Sequence, residues 1–256
     1  KRSLMKVIEN LQEWQQLRSK IENTTIGFVP TMGNLHQGHL SLFKQSLEDN
    51  HLTVASIFVN PTQFNNQQDF IHYPKTLEAD LASLESLGVD YCLLPTKDQI
   101  YPDNYQYQIT EKQLSLQMEG NCRPGHFDGV LTVVMKLLML VQANRAYFGE
   151  KDYQQFQLVK GMAGAFFIST EILSKPTIRD SHGLALSSRN NRLSPEGIQQ
   201  AQQFAKLFHQ NTKSMAEIEL GIQQLGLSID YIEEHNNRRF AAVFVEGIRL
   251  IDNYSV

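Results

Sequence analysis

The chain has 256 residues, 41% hydrophobic and 20% charged, which suits one large or two modest globular domains and excludes global disorder. Its formal net charge is -4, so no broad basic surface offers itself to nucleic acid, and an anionic small substrate must find local positive charge. The two cysteines, Cys92 in an apolar run and Cys122 in a polar loop, lack metal-ligand or disulfide-framework spacing and point to a reducing cytoplasm. Lys1–Asn10 lacks the apolar core of a signal peptide.

In chain order, Ile26–Pro30 is a strand and Leu40–Leu47 a helix. Leu52–Val59 is β-branched and apolar, a buried strand. Leu77, Leu81, Leu84 and Leu87 form a helical stripe over Thr76–Leu87, which Gly88 can end. Val89–Leu94 is a strand. Asp128–Val141 is a helix that Asp128 can cap, and within it Leu131–Val141 is too short to cross a bilayer and reads as a buried core helix. Ala146–Phe148 is a strand and Tyr153–Met162 a helix. This alternation predicts an α/β domain, a Rossmann-like parallel sheet with helices on both faces, over residues 1–177. After Ile178 the pattern changes. Ser194-Pro195 starts a helix that runs to about His209, a second helix covers Met215–Leu225, and Ser228–Glu233 and Phe240–Ile251 read as an antiparallel hairpin. Residues 178–256 are expected to form a small α+β domain.

Ligands of such sheets bind beyond the carboxyl ends of the strands, and three polar clusters follow strands here. The first, Pro30-Thr31-Met32-Gly33-Asn34-Leu35-His36-Gln37-Gly38-His39, is a turn entering a helix. Backbone N–H groups and a partial positive charge collect at a helix start, and His36 and His39, three apart, can join them on a phosphate. Alone, two histidines are as often caps or satisfied core residues. The second cluster places the amides Asn60 and Gln63 where they can bind hydroxyls and carboxylates without adding charge, or merely close a turn. The third, Gly149-Glu150-Lys151-Asp152-Tyr153-Gln154-Gln155, puts Lys151 at a helix start, with Gln155 four residues on along the same face. Outside these clusters, Arg123 can meet an anion or a surface carboxylate, whereas His126 and Asp128 read as loop and cap residues. Ser187, Ser188 and Arg189 can surround a triphosphate. Asp80 is either a magnesium partner or a solvated helix carboxylate.

The strings PTMGNLHQGH, SIFVNPTQF, RPGHFDGV, YFGEKDYQQ and LALSSRN, in this order over about residues 24–195, with RLIDN at 249–253, resemble the pantoate–β-alanine ligases of the nucleotidylyltransferase superfamily. The resemblance implies condensation of (R)-pantoate with β-alanine through a pantoyl adenylate, with release of AMP and diphosphate. It implies that ATP meets Met32, Gly33, Asn34, Leu35, His36, Gln37, Gly38, His39, Gly149, Glu150, Lys151, Asp152, Ile178, Leu186, Ser187, Ser188 and Arg189. It makes His39, His36, Lys151 and Arg189 catalytic, gives pantoate to Asn60, Gln63 and Gln155, and gives Mg2+ to Asp80. It further implies a C-terminal lid and a cytoplasmic homodimer, with no nucleic-acid or membrane partner. Two departures from the family pattern stand out: His182 precedes Gly183 where an acidic residue is more common, and the C-terminal domain reads as shorter than usual. The alternatives are another HxGH nucleotidylyltransferase acting on a small carboxylate or phosphate, and a catalytically silent nucleotide-binding regulator. Joint presence of His36, His39, Lys151 and Arg189 argues against the silent one.

Overall fold

A computed structural model describes residues 4–256; Lys1, Arg2 and Ser3, the start of the segment read as lacking a signal core, lie outside the described residues. The chain forms two units. The first runs up to Leu35 and includes His39–Gly149 and Gln154–Lys175; the second holds Pro176–Val256 with the short segments His36–Gly38 and Glu150–Tyr153.

The first unit contains β1 (Lys6–Ile8), α1 (Leu11–Arg18), β2 (Ile26–Thr31), α2 (Gln37–Asp49, its first two residues grouped with the second unit), β3 (Leu52–Ile57), α3 (Gln67–Ile71), α4 (Leu77–Leu87), β4 (Tyr91–Leu93), α5 (Lys97–Ile100), α6 (Glu119–Cys122), α7 (His126–Val141), β5 (Arg145–Gly149), α8 (Tyr153–Ala165) and β6 (Glu171–Lys175). All six strands pair in parallel, in the order β1-β4-β3-β2-β5-β6. Central β2 is buried except at Pro30, as a strand covered on both faces must be. Val29, Phe43, Ala55, Leu84, Cys92 and Tyr147 share one core beside it. Burial pushes the Cys92 thiol up to about 12, with the nearby Asp80 charge adding to the effect, so it packs as an apolar side chain. Chain order reverses between β2 and β5, and the two turns with candidate phosphate ligands follow these two strands.

In the second unit, α9 (Pro195–Phe208) and α10 (Met215–Gln224) pack on an antiparallel sheet of β7 (Ser228–His235), β8 (Arg238–Val245) and β9 (Ile248–Ser255). Phe204, Phe208, Ile218, Ile222, Val243 and Leu250 belong to its core. Ser194 caps α9 by accepting from Gly197 N at 3.0 Å.

Three expectations about these elements are corrected. The Phe240–Ile251 strand is two strands, because Glu246 and Gly247, both at positive φ, make a two-residue turn and turn the hairpin into a three-stranded meander. Asp128 does not cap α7: the helix starts at His126 behind Gly125, and no side chain caps it. Cys122 lies in the short helix α6 rather than a loop. The edge strands β1 and β6 and helix α1 complete the first unit. Among the described residues, no helix is long and apolar enough to cross a membrane.

Candidate active site

The turn after β2 is built on a buried carboxylate. Gly33 has φ +78°, and a Cβ there would lie 3.0 Å from Asp80 Oδ2. Asp80 is 3% exposed, so its reading as a solvated carboxylate fails. Its oxygens accept from Asn34 N (2.9 Å), Leu35 N (2.8 Å) and Thr76 Oγ1 (3.0 Å). Three donors on its two oxygens anchor the turn, and the described residues contain no group of three metal-ligating side chains. Asp80 thus shapes the loop that delivers the histidines.

His36 stands just before α2 and His39 in its first turn; both are half-buried. Gly38 N donates to His36 Nδ1 at 3.1 Å, so the neutral ring carries its proton on Nε2, the donor it can offer to an oxyanion. Burial, followed by the Lys151 charge, holds His36 below its usual 6.5, and Asp152 opposes this. The imidazole is therefore neutral near pH 7.

The amides after β3 form a closed cluster in the first unit. Asn60 is 1% exposed. Its Nδ2 donates to Gln63 Oε1 (3.0 Å) and Gly129 O (3.2 Å), and Gln63 Nε2 lies 3.2 Å from Met32 Sδ. Helix α7 comes this close because position 129 is glycine: a Cβ would sit 2.5 Å from Thr62 O and 2.8 Å from Gln63 Cα. His126, read from sequence as a loop residue, is buried in the first turn of α7, and its Nδ1 lies 2.8 Å from Gln63 O. Its pattern in the sequence, a histidine before an apolar helix, carries no signal of this. Gln155 is half-buried in the first turn of α8, and Arg123 meets the buried Glu119 at 3.4 Å.

In the second unit, Lys151 lies in the turn Glu150–Asp152, its Nζ 3.9 Å from Asp152 Oδ2. Asn253 Nδ2 donates to both Glu150 O and Lys151 O at 2.9 Å, fixing that turn by its backbone, and Asn253 Oδ1 accepts from Arg238 Nη1 at 2.6 Å. The neighbouring Asp252, 3% exposed, receives Arg179 through Nη1 (2.8 Å) and Nη2 (2.9 Å) and His209 Nε2 at 2.9 Å. In the sequence, RLIDN has no evident task; here it organises the lysine turn. Leu186 N donates to Ile178 O at 2.9 Å, and Ser187 accepts from Arg189 N at 3.2 Å to start the turn Ser188–Arg192. Lys151, Ser187, Arg189 and Asn190 line one cavity of this unit. Asn190 Oδ1 is buried without a hydrogen-bond partner among the described residues. His182 is exposed, and its backbone N donates to Asp180 Oδ1 at 2.8 Å.

Thus a helix start with two histidines, a buried amide cluster, and a cavity with a lysine and an arginine lie on one chain. A family model described as pantoate-beta-alanine ligase matches residues 3–255. A pantothenate synthetase of Legionella pneumophila (strain Corby) is 55% identical over 98% of this chain and 99% of its own length. One from Coxiella burnetii (strain Dugway 5J108-111) is 56% identical over 98% and 96%. These relatives match over nearly their full length, so the C-terminal unit is not shortened relative to them. A crystal structure of the Francisella tularensis pantoate-beta-alanine ligase, complexed with beta-gamma ATP and beta-alanine, matches with TM-score 0.94 and 42% identity over 98% of this chain and 97% of that one. The pantothenate synthetase of Thermus thermophilus matches with TM-score 0.88 and 36% identity over 98% and 99%. The chain belongs to the pantoate–β-alanine ligase family and condenses pantoate with β-alanine.

Proposed function

We propose that the condensation runs through a pantoyl adenylate made from ATP, with the phosphate chemistry carried by His36, His39, Lys151 and Arg189. A pantoate carboxylate oxygen attacks the α-phosphorus of ATP, and the bond to the β-phosphate oxygen breaks to release diphosphate. The neutral amine of β-alanine then attacks the acyl carbon, AMP leaves with the acyl C–O electron pair, and the amine nitrogen loses a proton as the amide forms. A carboxylate is a poor acyl donor, and adenylation supplies the leaving group that direct amide formation lacks.

Negative charge builds on the phosphate oxygens in the first step, so donors aimed at them lower the barrier. The observation that carries the reading is the His36 geometry: Gly38 N occupies Nδ1, which puts the ring proton on Nε2, and the Lys151 charge is felt at that ring. His39 adds a second imidazole, and its service as an electrostatic donor meets the same need as proton donation. Met32, Gly33, Asn34, Leu35, Gln37, Gly38, Gly149, Glu150, Asp152, Ile178 and Leu186 form the nucleotide's remaining contacts, and Ser187 and Ser188 add hydroxyl donors to its phosphates. Gln63 and Gln155 hold pantoate, and Asn60, expected from sequence to bind it too, is 1% exposed with its amide fully engaged and orients Gln63 instead. The nucleotide and β-alanine named for the Francisella tularensis complex support both substrates here. The phosphates of ATP would carry magnesium, and Asp80 would assist it through the turn that its oxygens hold. Family resemblance supports a lid role for residues 178–256, a homodimer and a cytoplasmic location.

The test is AMP release by the purified chain. It should require ATP, pantoate and β-alanine together, while ATP and pantoate alone should support exchange of labelled diphosphate into ATP. His39→Ala and Lys151→Ala should each slow that exchange by about a hundredfold. Near-full exchange in either variant refutes the assigned role.

A further inference from the structure

We infer that Tyr101 is a positioning residue for pantoate: its phenol holds the Asn60 amide in the orientation that Thr62 N and Gly129 O select, and so keeps Gln63 presenting its NH2 rather than its carbonyl to the substrate. The inference rests on the reading of Gln63 as a pantoate amide. All its groups lie within the first unit.

Tyr101 is 2% exposed, and its hydroxyl donates to Asn60 Oδ1 at 2.7 Å. Thr62 also donates to Oδ1, from Oγ1 at 3.0 Å and from N at 3.4 Å. Three donors therefore meet one oxygen. On the other side, Asn60 Nδ2 faces two acceptors, Gln63 Oε1 and Gly129 O. Rotating the amide by half a turn would set N–H against the Thr62 N–H and set Oδ1 against the backbone carbonyl of Gly129. Buried polar groups left in that state cost far more than one hydrogen bond returns, so only one orientation is populated. Gln63 has in turn one carbonyl oxygen, and Asn60 occupies it. Its Nε2 end, near the weak acceptor Met32 Sδ, is what remains for a ligand. The subsite is consequently a donor surface, matched to hydroxyl and carboxylate oxygens and poorly matched to a ligand that offers N–H at that point.

Tyr101 is suited to hold this polarity. Burial pushes its phenol up to about 12, so it remains a protonated donor across the working range. Its ring is fixed independently of the hydroxyl, with Lys136 Nζ 5.0 Å above the centroid and Tyr105 edge-on at 5.3 Å. Lys136 is itself held by Ile100 O at 2.9 Å and Asp103 Oδ1 at 3.0 Å, so removing one oxygen atom leaves the packing in place.

The experiment is steady-state AMP release by the full chain carrying Tyr101→Phe, Gln63→Ala, or both. Tyr101→Phe should raise KM for pantoate about tenfold, leave KM for ATP unchanged, and add little to the defect of Gln63→Ala, because it acts through Gln63. An unchanged KM for pantoate in Tyr101→Phe, while Gln63→Ala raises it, overturns this inference alone. Equal rises in both KM values, or additive defects in the double variant, overturn it in favour of a general structural role. An unchanged KM for pantoate in Gln63→Ala overturns the pantoate reading and this inference with it.

Discussion

His36 shows how much of a residue's chemistry is set by two neighbours. A histidine in the sequence is an acid or a base in equal measure; the Gly38 N–H at its Nδ1 and the charge of Lys151 make it a neutral Nε2 donor. Because burial and then Lys151 lower its pKa, removing the lysine must raise it. Lys151→Ala should move the His36 titration up toward 6.5, read from its ring-proton shifts against pH; a downward or absent movement would show that the lysine charge is not felt at the ring. Asp80 marks the opposite case. Its place on a helical segment is visible in sequence, but its burial and its three donors are not, since Asn34 and Leu35 come from a segment some forty-five positions away. Residue type alone could not separate a metal ligand from a loop anchor.

At the level of elements, Gly129 joins helix packing to substrate chemistry. It sits in a helix that is apolar almost all round, where glycine weakens the helix, and its use appears only when the turn Pro61–Gln63 is placed against it. Gly129→Ala should push Thr62 and Gln63 away and raise KM for pantoate at least about tenfold, with KM for ATP little changed. An unaltered KM for pantoate would mean the turn yields without consequence. The core strands β2, β3 and β5 are legible in sequence because their apolar runs are bounded by turn residues and buried on both faces. Strands β1 and β6 are not, because each is short, lies at a sheet edge and mixes polar with apolar residues; pairing with β4 and β5 makes them strands. The merging of β8 and β9 in the sequence reading has a local cause, a glycine turn only two residues long between two apolar runs.

At the level of the whole molecule, each unit carries its own core, and the second is tied together by a buried carboxylate. Burial alone would raise the Asp252 pKa, but hydrogen bonds and charge from His209 and Arg179 outweigh it and hold the carboxyl below its usual 3.8. A depressed carboxyl contributes stability above the unfolded-state pKa and loses it as pH falls through the folded one. Asp252→Asn should therefore cost about 3 kcal/mol near neutrality, and its gap from the parent chain should close only below about pH 4. Trp14, the single tryptophan, is fully buried in the first unit, so its fluorescence follows that unit while far-ultraviolet circular dichroism follows both. In Asp252→Asn the dichroism transition should move to lower temperature ahead of the fluorescence transition; coincident, unshifted transitions would refute the assignment. The α/β rhythm, the polar clusters after the strands and the family are legible from residue order alone, because these depend on local periodicity and on side-chain types kept in order along the chain. The tautomer of His36, the orientation of the Asn60–Gln63 pair behind Tyr101, and the tasks of Asp80, Asp252 and Asn253 emerge only once the chain is folded. Each of those depends on the placing of a hydrogen-bond partner that residue type alone does not give, and the direction of a hydrogen bond is a property of the pair.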